Sequence, residues 1–119
     1  MSEHYHDPAD MRRLKDMRQL APKDYEAWFN LDSIVKREDG AIPRKYRELI
    51  ALGVALTTQC AYCIDIHTRH ARAHGVTKEE LAEAAFIAAA VRAGGTLAHA
   101  LMALRLFDEA AEAGAHAPL

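Results

Sequence analysis

Apolar positions along this chain recur at intervals of three and four residues, and alternation of polar with apolar positions never survives more than a few places. β-Branched residues are sparse, and Ala, Leu, Glu and Arg dominate. The pattern predicts an all-α fold of about six helices. A short helix is expected from Asp10 to Leu20, and Pro22 suits the first turn of a second, about 22–37, which carries Tyr25, Trp28, Phe29, Ile34 and Val35. Trp28 and Phe29 are expected in the core. Gly40 stops that helix and Pro43 opens a third, about 43–57, which is apolar or small all round from Leu49 to Leu56 and should be buried on most sides.

A fourth helix is expected from Gln59 to His74, joined to the third by a tight hairpin around Thr57 and Thr58. Gly75 is a good residue to end it. Thr77 with Glu80 then forms a capping box that starts a fifth helix, 78–93. The pair Gly94 and Gly95 is expected to break this from a sixth, 96–113. Residues 1–9 read as a loose arm and the last residues, GAHAPL, as a frayed tail.

The chain has 119 residues, half of them apolar, which fits one domain over 1–119 with its core at about 22–113. Seventeen acidic residues against fifteen basic ones leave a net charge of −2, no footprint for nucleic acid or an anionic membrane. The N-terminus has no signal-peptide pattern, and the runs LIALGVAL and AAFIAAAV are short for a bilayer span. A cytoplasmic protein is expected. In a reducing compartment, two cysteines spaced C-x-x-C point to catalysis or metal binding rather than to a structural staple.

Those cysteines are Cys60 and Cys63, and with His67, His70 and His74 they fall within an arc of about 80° on one helix face. Three readings of the stripe stand side by side. It can be a core-facing stripe, though an unusually polar one. It can bind zinc, but Cys60 and His67 are a rise of roughly 10.5 Å apart in a continuous helix, too far for one tetrahedral ion, and no second C-x-x-C completes a half-site. No metal is therefore expected. The redox reading uses every element: a C-x-x-C at a helix start brings two sulfurs within disulfide reach, and first-turn N–H groups stabilise a thiolate. His67, four residues after Cys63, is placed as its base, so Cys63 is the candidate nucleophile and Cys60 its disulfide partner.

An antiparallel hairpin centred near residue 58 sets residue 48 opposite residue 68, which brings Glu48 back beside His67 as the group that orients the imidazole. The alternative is a solvated glutamate paired with Arg44 or Arg47.

The spacing Glu48, Cys60, Cys63, His67, with the following GVTKEELAEAAFIAAAVRAGG, resembles the alkylhydroperoxidase D-like branch of the carboxymuconolactone decarboxylase family over roughly 43–107. The resemblance implies an all-helical fold that assembles as a trimer or hexamer, with a redox-active disulfide. It implies that Cys63 attacks the peroxide or disulfide substrate, by way of a sulfenic acid in the peroxide case, that Cys60 closes the disulfide, that His67 takes the Cys63 proton and that Glu48 holds His67. Some relatives have a relay histidine between the cysteines; Tyr62 stands there, a poor base near neutrality. Tyr62 and His70 are candidates for a supporting layer around the site.

The expected activity is that of a thiol-dependent antioxidant peroxidase or disulfide oxidoreductase without a cofactor. Its electrons would come from an external dithiol such as lipoamide or a thioredoxin-like protein, with a peroxiredoxin or a lipoylated protein as a partner. The alternatives are a carboxymuconolactone decarboxylase-type enzyme, against which the intact C-x-x-C argues, and a non-catalytic redox sensor or disulfide-exchange module.

Overall fold

The computed structural model describes residues 5–114, and within them every regular element is helical. Residues 1–4 of the expected arm and 115–119 of the expected tail lie outside the described residues. A 3₁₀ helix, η1 (Pro8–Arg13), opens the chain with the Asp7 side chain accepting from the Ala9 N–H at 2.9 Å. Then come α1 (Leu14–Leu20), α2 (Pro22–Ile34), α3 (Arg44–Thr58), α4 (Ala61–Ala73) and α5 (Lys78–Ala113).

The turn between α3 and α4 takes two residues. Gln59, in the left-handed region at φ 56°, ends α3, and Cys60 is already the N-cap of α4. So tight a turn makes the two helices antiparallel. Gly75 at φ 84° follows α4, and the Thr77–Glu80 capping box starts α5 with both of its hydrogen bonds made. Lys45 Nζ pairs with Glu80 Oε2 at 2.9 Å and Arg92 donates to the Thr57 carbonyl at 3.0 Å, so α5 runs parallel to α3 for the full length of α3.

Three expectations are corrected. Gly94 and Gly95 do not break α5, which continues for 36 residues. Glycine inside a helix costs about 1 kcal/mol relative to Ala but ends it only where a left-handed turn or a competing cap is present, and strong helix formers flank this pair. The joined helix is, by length and composition, long and apolar enough to cross a membrane.

Second, α3 is buried on one side only: Leu52, Ala55 and Glu48 are enclosed, whereas Ile50 and Val54 are 56% exposed. Those two residues, with Tyr46, Ile87 and Val91, line an open apolar groove of about 1240 Å³ between α3 and α5. Third, Trp28 and Phe29 lie outside the core at 46% and 48% exposure, because among the described residues α2 packs against α1 and against no other helix.

These corrections share a cause. The chain exposes 9892 Å², whereas a compact monomer of 13.2 kDa exposes about 6,400 Å². Its radius of gyration, 20.1 Å, also exceeds the about 13.5 Å of a compact chain of this length. A single chain does not close its own core.

Candidate functional site

The site is built where α3 and α4 pair. Cys60 caps α4 with its own sulfur, accepting the Cys63 N–H at 3.3 Å, and the two cysteines are joined as a disulfide across a Cα separation of 5.3 Å. The first-turn N–H therefore points at Cys60 rather than at Cys63. One turn beyond Cys63, on the same stripe, His67 meets Glu48 from α3: its Nδ1 lies 2.7 Å from Glu48 Oε2. An ionised carboxylate only accepts, so Nδ1 carries the proton and Nε2 of the neutral ring is left with the basic lone pair.

Glu48 is the one buried charged side chain among the described residues, 2% exposed. Its other oxygen, Oε1, accepts from Arg44 Nε at 2.8 Å, and Arg44 in turn donates to the Lys36 carbonyl after α2. Glu48 is therefore not the solvated glutamate of the alternative reading, although the Arg44 pairing that reading offered is made beside the His67 contact, one on each oxygen. Arg44 had a legible signal, standing four residues before Glu48 on the same helix. Burial pushes the Glu48 carboxyl up, but the hydrogen bonds and charges of His67 and Arg44 outweigh it and hold the group below its ordinary value.

His70 comes closer to the centre than its spacing alone indicates. Its Nδ1 is buried without a hydrogen-bond partner and lies 3.7 Å from Glu48 Oε1, and its ring stands edge-on to His67 at 6.0 Å. Burial lowers its pKa, only partly offset by the charge of Glu48. Glu48, His67 and His70 each bring a donor atom within 4.8 Å of the others. His74 does not join them. Its Nδ1 bonds the His70 carbonyl at 2.7 Å at the end of α4.

Tyr62 faces away from this cluster. Its hydroxyl donates to Asp10 of η1 at 2.6 Å, which holds the phenol above its ordinary pKa, and His6 packs on its ring. Nothing in the sequence near either residue announces that pairing, which spans 52 positions.

Glu48 and His70 act on stability in the same direction. A carboxyl with a depressed folded pKa stabilises above its ordinary value, 4.5, and loses that contribution as pH falls through the folded value. A histidine held neutral by burial is protonated in the unfolded chain first, below its ordinary 6.5, which favours unfolding. Denaturant midpoints are therefore expected to fall on acidification in two stages, first below about 6.5 and then below about 4.5. His70→Gln should remove the first stage and leave the second.

Fold and site together define a class: an all-helical protein with a C-x-x-C disulfide at the start of one helix and, further along that helix, a histidine hydrogen-bonded to a buried glutamate of the preceding helix. Sequence comparison agrees. The pattern of the carboxymuconolactone decarboxylase family matches residues 22–106, and the chain belongs to that family. It is 46% identical over 71 residues to uncharacterized protein 4 in the cox locus of Paracoccus denitrificans, a match covering 60% of this chain and 64% of that protein. An uncharacterized protein of Cupriavidus necator is 37% identical over 71 residues, covering 60% and 63%. The uncharacterized protein YdfG of Bacillus subtilis is 33% identical over 63 residues, covering 53% and 42%. The matched stretch spans less than two thirds of each relative.

Proposed function

We propose that this chain is a thiol-dependent oxidoreductase that reduces an alkyl hydroperoxide through Cys60 and Cys63, with His67 as base and Glu48 as the group that positions it. The observation that carries the reading is the buried Glu48 carboxylate, hydrogen-bonded to the histidine one turn beyond Cys63. In the reduced protein, His67 Nε2 takes the Cys63 thiol proton. The thiolate attacks the terminal peroxide oxygen, the O–O bond breaks, and the alkoxide leaves as alcohol with the proton held by His67. Cys63 is then a sulfenic acid. Cys60 attacks its sulfur, hydroxide departs as water with a further proton, and the disulfide closes. An external dithiol, lipoamide or a thioredoxin-like protein, supplies two electrons and two protons to reopen it.

The N-cap hydrogen bond suits Cys60 to this second step, because an N–H aimed at its sulfur favours the thiolate that attacks. Sustained reduction of tert-butyl hydroperoxide with dihydrolipoamide tests the assignment. A disulfide that opens and closes reversibly without sustained turnover would transfer the protein to disulfide exchange or redox sensing.

The working unit is a homo-oligomer, a trimer or hexamer in line with the family resemblance. The surplus surface of about 3,500 Å² per chain is of the size that obligate interfaces cover. Leu97, Leu101 and Leu104 form one exposed stripe on the part of α5 that extends past α3. Copies of the chain fit this surface better than lipid does, since Arg92, Arg105, Asp108 and Glu109 interrupt it. Sedimentation should give a multiple of 13.2 kDa without detergent, and Leu101→Glu should lower it toward the single chain. A wild type that sediments as one chain, or that needs detergent, would refute the oligomer.

A further inference from the structure

We propose that Glu48, His67 and His70 form a binding site for a divalent transition ion of the zinc type, separate from the two sulfurs. The site shares Glu48 and His67 with the proposed proton relay and adds His70, which the dithiol chemistry does not use. The His70 Nδ1 is enclosed, lacks a hydrogen-bond partner and faces a carboxylate oxygen at 3.7 Å. In the tautomer protonated on Nε2, that nitrogen presents a lone pair to an anion, an arrangement that a cation between them relieves. His67 Nδ1 lies on the other oxygen of the same carboxylate at 2.7 Å.

Zinc bound at about 2.0–2.1 Å to nitrogen and oxygen sets neighbouring ligand atoms about 3.3 Å apart. With one donor atom from each residue, the three already lie within 4.8 Å of one another, so shifts of up to about 1.5 Å at side-chain ends bring them to it. Two histidines and one carboxylate, with water as a fourth ligand, is a donor set zinc accepts. A carboxylate has about four lone-pair directions, so Arg44 can stay on Oε1 while the ion is bound. The cost is charge: Arg44 already neutralises Glu48, which leaves the loaded site positive and its affinity below that of a site free of arginine.

Length arithmetic along α4 alone could not find this site, because the ligand that completes it comes from α3. The metal changes one thing at the centre. With Nδ1 of His67 on the ion, the ring proton must sit on Nε2, the nitrogen proposed to accept the Cys63 proton. Zinc therefore holds the base in a form that cannot accept. The site does not depend on the dithiol mechanism; only this consequence does.

Zinc chloride titrated into the full-length, disulfide-closed protein tests the site by calorimetry, since no thiol is then present to bind the metal. The expected result is one zinc per chain, with affinity lowered at least tenfold by His70→Ala and unchanged by His74→Ala. The double variant Cys60→Ser, Cys63→Ser should keep the affinity of the oxidised wild type. No uptake by the oxidised protein, or uptake that His70→Ala leaves unchanged, would overturn the proposal. A failure of peroxide turnover would leave this result untouched, so the two readings fail separately.

Discussion

Cys63→Ser is expected to reduce peroxide turnover to the uncatalysed background, a loss of at least about 10³-fold, because a serine hydroxyl supplies no thiolate and cannot become a sulfenic acid. Cys60→Ser should behave differently. It loses sustained turnover but retains one equivalent of peroxide consumed per chain, since Cys63 can still be oxidised once while the partner that closes the disulfide is gone. His67→Gln should slow the wild-type cycle by about 10²–10⁴-fold, the usual contribution of a positioned base. Stopped-flow single turnover followed by trapping of the sulfenic acid separates the three variants. If the single equivalent survives in Cys63→Ser and disappears in Cys60→Ser, the two roles are exchanged, and the N-cap bond at Cys60 rather than the reach of His67 selects the nucleophile.

Glu48→Gln is expected to lower unfolding stability by about 3–5 kcal/mol, the cost of removing one partner from a buried ion pair. Two donors converge on this side chain, Arg44 on Oε1 and His67 on Oε2. A glutamine keeps the shape but offers one accepting oxygen, so one donor is left facing an N–H. The Arg44 side chain, 15% exposed, then loses the carboxylate that its guanidinium pairs with. Urea unfolding at pH 7 reads the loss, and the acid-side decline that Glu48 produces should vanish with it. A variant within about 1 kcal/mol of wild type would show that the carboxylate charge is not what holds α3 and α4 at this point.

The helical content, the hairpin and the stripe were legible because each depends on neighbours in sequence. The capping box of Thr77 and Glu80, the left turn at Gly75 and the spacing of Cys60, Cys63 and His67 are local matters of backbone geometry. Even Glu48 was reachable, since a short turn fixes which residue faces which across an antiparallel pair. His70 was harder. Its spacing placed it on the right face, but whether its nitrogen turns inward to Glu48 depends on how closely α3 approaches.

Periodicity misled where it implied burial. It correctly marked Ile50, Val54 and Trp28 as apolar faces, yet one chain does not cover them. Gly94 and Gly95 misled for a related reason: local cost alone suggested a break, and a helix of strong formers absorbs that cost.

From its sequence alone, then, this protein is determined as all-helical, with a dithiol at the start of a helix and a histidine one turn beyond it, since hydrogen bonds and rotations within a few residues specify both. Only the tertiary structure decided that Glu48 is enclosed together with its partners, that His70 turns its Nδ1 toward that carboxylate, and that Tyr62 is drawn off to Asp10. Those outcomes depend on distances between elements, which packing sets and which no spacing along the chain encodes.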